Sequence, residues 1–124
     1  MAEKNSYILS FEEIGSKDVH KVGGKNASLG EMINNLKSEG VRVPTGFATT
    51  ADAFWEFLEA NGLPEKIERR LKDFNQGDKS LEQTGKAIRR LFGKAAFPEG
   101  ISLAVRNAYQ KLCERYGVED VDVA

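Results

Sequence analysis

Val22-Gly23-Gly24-Lys25-Asn26-Ala27-Ser28-Leu29-Gly30-Glu31-Met32 runs from a glycine pair straight into a helical pattern. Leu29, Met32, Ile33 and Leu36 fall at i, i+3, i+4 and i+7, one face of a 3.6-residue period. The spacing predicts a helix over residues 26–38, with Gly40 as a left-handed C-terminal cap. Paired glycines let backbone approach a ligand closely and reach positive φ. A helix N-terminus adds free N–H groups and the positive end of the macrodipole. Lys25 adds a full charge on a flexible stem, so Gly23, Gly24, Lys25 and Asn26 form a candidate anion site. The plain alternative is a loop-to-helix junction with a solvated lysine, and local pattern alone leaves both readings open. The stretch is not a Walker A loop, because Val19 and Asn26 stand where that motif requires glycine and Ser or Thr.

Before this stretch, residues 7–11 are an apolar run that predicts a short strand, and residues 18–24 read as a loop. After it, Pro44 forbids a helix interior, and residues 47–50 are β-prone. A second helix is expected from Ala51, with Thr49 or Thr50 as its N-cap, an apolar face of Phe54, Phe57 and Leu58, and a stop at Gly62. Pro64 suits the first turn of a third helix striped by Ile67, Leu71 and Phe74. Ser80 and Gln83 form a candidate capping box for a fourth, striped by Leu81, Thr84, Ile88, Leu91 and Phe92. Pro98 opens a fifth, with Ile101, Val105, Ala108 and Leu112 on one face and Gly117 at its end. Val121-Asp122-Val123 reads as the beginning of a further strand that the chain leaves unfinished, which is expected of a piece of a larger domain. The implied class is α+β: helix-rich, with a small sheet of short strands.

Eighteen basic residues against nineteen acidic ones give a net charge of −1. No basic excess marks a nucleic-acid binder, although one triphosphate needs only a few local donors. No run approaches the roughly 20 apolar residues of a membrane span, and the first residues lack the apolar core of a signal peptide. A cytoplasmic location is therefore expected. Cys113 is alone, so no internal disulfide forms, and a structural thiol is its ordinary reading. Arg69-Arg70 and Arg89-Arg90 read as solvated helix faces, and His20 as an ordinary loop residue. Phe54, Trp55 and Phe57 read as core aromatics, with an adenine platform as the sharper alternative.

Val22 to Met32 resembles the N-terminal signature of the phosphoenolpyruvate synthases. Val41-Arg42-Val43-Pro44-Thr45-Gly46-Phe47-Ala48-Thr49-Thr50-Ala51-Asp52-Ala53-Phe54 resembles that family's second signature at its usual distance. The likeness is strongest over residues 18–57 and continues more weakly, as helical pattern, to the end. Pyruvate phosphate dikinases and rifampin phosphotransferases share Gly-Gly-Lys but more often continue Gly-Ala-Asn-Leu. Asn26-Ala27-Ser28-Leu29 is closer to the synthase branch.

The resemblance implies that residues 1–124 are the N-terminal part of an ATP-grasp-like nucleotide-binding domain. Lys25 would contact ATP phosphates with Gly23, Gly24 and Asn26, and Thr49 and Thr50 would be neighbours of the site. The partners it implies are a mobile domain carrying a phosphohistidine and a pyruvate-binding barrel elsewhere in a parent chain. Together they convert ATP, pyruvate and water to AMP, phosphoenolpyruvate and phosphate in gluconeogenesis. The family's Arg-Ser-Ser-Ala stretch and its acidic Mg²⁺ ligands lie beyond this sequence, so no catalytic residue is expected within it, and the isolated chain is expected to be inactive. Two other readings remain: the front of a rifampin-type phosphotransferase or pyruvate phosphate dikinase, and a non-enzymatic helical interaction module.

Overall fold

The structure is a computed structural model that describes residues 6–123. Its elements are β1 (Ile8–Ser10), two 3-10 turns (Phe11–Glu13 and Ser16–Asp18), α1 (Val19–Val22), α2 (Gly24–Lys37), β2 (Phe47–Thr49), α3 (Ala51–Ala60), α4 (Leu63–Asn75), α5 (Leu81–Lys94) and α6 (Glu99–Tyr116). The class is α+β, as the sequence implies. The chain divides into two compact units. One runs up to Phe54 and resumes at Glu99; the other is Trp55–Pro98.

In the first unit, β1 and β2 pair antiparallel, with Ile8 opposite Thr49, Leu9 opposite Ala48 and Ser10 opposite Phe47. Two further bonds extend the ladder: Phe11 N–H donates to the Gly46 carbonyl at 3.0 Å, and Thr50 N–H to that of Tyr7 at 3.0 Å. Both strands are shorter than expected. Phe11 leaves the sheet to open a 3-10 turn, capped by the Ser10 hydroxyl, and Thr50 leaves it to cap α3. Beneath the sheet, Ile14, Val22, Ala27 and Ala48 are buried together, with Leu9 and Phe11 packed against them.

Helix α2 begins at Gly24, two residues before the expected start. It ends as expected: Gly40, at φ 77°, lets its own N–H reach the Lys37 carbonyl and that of Val41 reach Leu36, the paired bonds of a Schellman cap. Its buried face is only partly the expected one: Ile33 lies inside, and Leu29 and Leu36 are half-buried. Ala27, Gly30 and Ile33 are buried, while Met32 is 46% exposed. The helix packs against backbone at Ile14, and close approach to backbone selects small residues over large apolar ones. A Cβ at Gly30 would lie 2.8 Å from Ile14 Cβ, and closer still to the Ile14 carbonyl oxygen.

Helix α6 is tied to the rest of this unit by polar contacts. Arg115 reaches Glu12 at 2.6 Å, Lys37 of α2 meets the same carboxylate at 3.8 Å, and Thr45 N–H donates to the Tyr116 hydroxyl at 2.9 Å. The expected strand at residues 121–123 is absent. The single Tyr109 O–H is instead shared between the Asp120 carboxylate at 3.0 Å and the Val121 carbonyl at 3.1 Å. These contacts fold the segment back toward α6, and among the described residues no strand lies beside it to supply a ladder.

The second unit is built on the α4–α5 hairpin. Ser80 and Gln83 form the capping box read from sequence: the Ser80 hydroxyl accepts from Gln83 N–H at 3.1 Å, and the Gln83 side chain from Ser80 N–H at 2.9 Å. Phe57 stacks on Phe92 at 6.1 Å and tilts against Phe97 at 5.2 Å. Asn61 donates to the Phe57 and Ala96 carbonyls and accepts from Ala96 N–H at 3.0 Å, tying this unit's two ends.

Two glycines give opposite expectations. Gly30→Ala drives a methyl group into Ile14 and should destabilise the fold by about 1–3 kcal/mol. Gly93→Ala, with nothing within 4 Å of its Cβ position on α5, should stabilise by about 0.5–1 kcal/mol through helix propensity. Urea unfolding of both variants measures this; a stabilised Gly30→Ala would contradict the packing described.

Candidate functional site

The Gly23–Asn26 turn sits where α1 passes into α2. Gly23 closes α1, its N–H donating to the Val19 carbonyl at 2.8 Å, and opens α2, its carbonyl accepting from Ala27 N–H at 3.0 Å. One residue serves two helices because its backbone takes φ 83° and ψ 164°, a conformation side-chain-bearing residues rarely adopt. The first N–H groups of α2 have no acceptor inside their own helix.

Space above the turn is open: a Cβ at Gly23 or Gly24 would meet nothing within 4 Å. Lys25 is exposed and makes no ion pair with a described residue. Asn26 is half-buried, and its amide donates to the Val22 carbonyl at 2.9 Å across the turn. Val22 and Ala27 are buried on either side. The result is a water-facing turn with an exposed cation at a helix start, an arrangement suited to an anion.

The two signature segments meet in the core, where Ala48 of β2 packs with Val22 and Ala27. Thr49 is exposed and lies in the β2 ladder opposite Ile8. Thr50 is buried, and its hydroxyl is committed to architecture: it donates to the Ser6 carbonyl at 2.7 Å and accepts from Ala53 N–H at 3.3 Å, which caps α3. His20 is exposed on α1. Phe54 and Trp55 are 50% and 58% exposed, whereas Phe57 packs on two phenylalanines. Arg69, Arg70, Arg89 and Arg90 are exposed, as their solvated reading implies. Cys113 is a buried free thiol.

Sequence reasoning missed the residues that brace the turn. Asp18 is buried and accepts from Gly15 N–H at 3.0 Å, with Lys21 at 3.7 Å. Glu31 accepts from Ser16 N–H at 2.9 Å and from the Asn35 amide at 3.4 Å, and the Asn34 amide donates to the Ile14 carbonyl at 3.0 Å. The Gly15 backbone bond, then Lys21, holds the Asp18 carboxyl below its ordinary value; the Ser16 backbone bond, then Asn35, does the same for Glu31. Among the described residues no cluster of three His, Cys, Asp or Glu side chains is placed to hold a metal ion, and no helix is long and apolar enough to cross a membrane.

Residues 19–124 match the model of the pyruvate phosphate dikinase, AMP/ATP-binding domain family, and the chain belongs to that family. It is 43% identical to a phosphoenolpyruvate synthase of Synechocystis over 98% of this chain and 16% of the relative, and 44% identical to that of Neisseria meningitidis over 97% and 15%. The phosphoenolpyruvate synthase of Escherichia coli is 44% identical over 85% of this chain and 13% of its own length. The chain thus spans about one-sixth of the length of the curated relatives it matches.

A lowered Asp18 carboxyl pKa in the fold means stability that is complete above the unfolded value of 3.8 and lost as pH falls through the folded one. The share of stability that depends on Asp18 should therefore be lost below about pH 4. Asp18→Asn should flatten the dependence in that window and leave it unchanged near pH 7. Urea midpoints at several pH values check this; a variant as acid-sensitive as the parent would refute the role of Asp18.

Proposed function

We propose that this chain is the N-terminal part of the ATP-binding domain of a phosphoenolpyruvate synthase, and that its Gly23–Asn26 turn holds phosphates of ATP. The observation that carries the reading is the exposed Lys25, with no ion pair to a described residue, beside open glycine backbone at the start of α2. Family membership supplies the nucleotide, and the relatives' names supply the reaction. Gly23 and Gly24 let phosphate oxygens approach the backbone, the helix start contributes N–H donors, and Lys25 contributes charge. Asn26 keeps the turn closed through Val22. Thr49 and Thr50 act at one remove, through the strand end that floors the site.

On this reading the parent enzyme works in the cytoplasm. It converts ATP, pyruvate and water to AMP, phosphoenolpyruvate and phosphate through a phosphohistidine on another domain, a gluconeogenic step. Mg²⁺ would be held by acidic residues outside this chain and would neutralise phosphate charge during transfer. Phosphoryl transfer needs metal, positioning and charge stabilisation together, and these residues supply only one share. The relatives' names favour this over a rifampin-type phosphotransferase, and the open cationic turn favours it over a purely helical interaction module.

A charge-assisted hydrogen bond contributes roughly 1.5–3 kcal/mol. Lys25→Ala in the full-length enzyme should therefore weaken ATP binding about 10- to 150-fold, with little change in Tm because the side chain is exposed. Lys25→Arg should recover binding only in part, since a forked guanidinium differs in reach from an ammonium. Calorimetric titration of ATP alongside thermal melts is the measurement, and unchanged affinity in Lys25→Ala would sink the phosphate role. The isolated 124-residue chain should form no phosphoenolpyruvate from ATP and pyruvate; turnover that disappears in Lys25→Ala would overturn that expectation.

A further inference from the structure

The segment from Ile14 to Asn34 is a closed loop with the Gly23–Asn26 turn at its tip. It leaves the core at Ile14, passes through the Ser16–Asp18 turn and α1, reverses at Gly23 and returns along α2. Its base is fastened at three positions of α2. Gly30 lets the helix lie against Ile14, Glu31 accepts from Ser16 N–H at 2.9 Å, and the Asn34 amide donates to the Ile14 carbonyl at 3.0 Å. The Glu31 carboxylate is used from both oxygens. Oε2 takes Ser16 and lies against Gly15, where a Cβ would come within 3.0 Å of it, and Oε1 takes the Asn35 amide.

We propose that Glu31 is a positioning residue for the phosphate-binding turn: by gripping Ser16 from α2 it closes the base of the loop and holds Gly23–Asn26 in its binding conformation. This rests on the reading that the turn holds phosphate. Glu31 is exposed, so its bond to Ser16 competes with water and adds little to global stability. Its leverage is on the path of the chain. Without that grip, Gly30 and Asn34 still hold Ile14 and Val22 still holds α1, but the 3-10 turn between them loses its tie to α2, and the path into Gly23 loosens. A turn that must be reordered at each binding event loses affinity, since preorganisation is what spares the cost of ordering.

The test uses the full-length enzyme with Glu31→Ala and Glu31→Gln. Two protected amides report on the turn without any ligand: Gly23 N–H, bonded to Val19, and Ala27 N–H, bonded to Gly23. Glu31→Ala should speed hydrogen exchange at both and weaken ATP binding roughly 3- to 30-fold, with Tm nearly unchanged. Glu31→Gln retains an acceptor oxygen and should recover most of both effects. Unchanged exchange at the two amides would overturn the proposal. So would faster exchange with unchanged ATP affinity, or an affinity loss that only follows a fall in Tm. Lys25→Ala run alongside separates the two claims: if it leaves ATP affinity intact, the phosphate reading fails, whereas the exchange data judge the grip of Glu31 by themselves.

Discussion

The Ile14 carbonyl and side chain occupy the space that any side chain at position 30 would need. That exclusion lets α2 lie directly on the chain preceding it, and the rest of the first unit follows from the contact. Ile14 is only 1% exposed and shares the core with Val22, Ala27 and Ala48. Val22 and Ala27 flank the glycine turn, while Ala48 belongs to β2, which carries the start of α3 at Thr50. One close approach between helix and backbone therefore sets the floor of the turn, its distance from the sheet and the path into the next helix. Hydrogen bonds from Glu31 and Asn34 hold that approach rather than create it, because both side chains extend from a helix already in contact.

Much of this architecture was legible in the sequence wherever a local rule governs it. Gly40 ends α2, Ser80 with Gln83 opens α5, and Thr50 caps α3, each a case in which a few neighbouring residues satisfy their own backbone groups. The buried face of α2 was legible only in part, through Ile33. A periodicity argument rewards large apolar residues and pointed to Leu29, Met32, Ile33 and Leu36, but the partner surface is backbone, which accepts Ala27 and Gly30 and leaves Met32 outside. Val121–Val123 failed for a related reason: β-propensity describes a residue's fit to a sheet, and no neighbouring strand is there to receive it.

The candidate site divides in the same way. Gly23, Gly24 and Lys25 stand out because a glycine pair, a cation and a helix start adjoin one another in the chain. Asp18, Glu31 and Asn34 do not stand out. Glu31 and Asn34 act on backbone groups 15 and 20 residues away, a separation that leaves no periodic trace, and each also fits the profile of an ordinary surface residue. Thr50 shows the converse. Its place in a recognisable segment suggested a neighbour of the ligand, yet its hydroxyl is spent on Ser6 and Ala53.

The pairing of Glu12 with Arg115 spans 103 positions of chain, and this has a consequence during synthesis. At roughly 5–20 residues per second, Arg115 is added about 5–20 s after Glu12. The core under the glycine turn is built from Ile14, Val22, Ala27 and Ala48, with Leu9 and Phe11 against them, so each of these residues has been translated long before α6 exists. The contiguous Trp55–Pro98 unit is likewise fully translated before Arg115. A nascent chain can thus hold an assembled glycine turn while its Glu12 carboxylate waits for the guanidinium that will latch α6 in place. The order of translation puts the glycine turn and its core first and the fastening last.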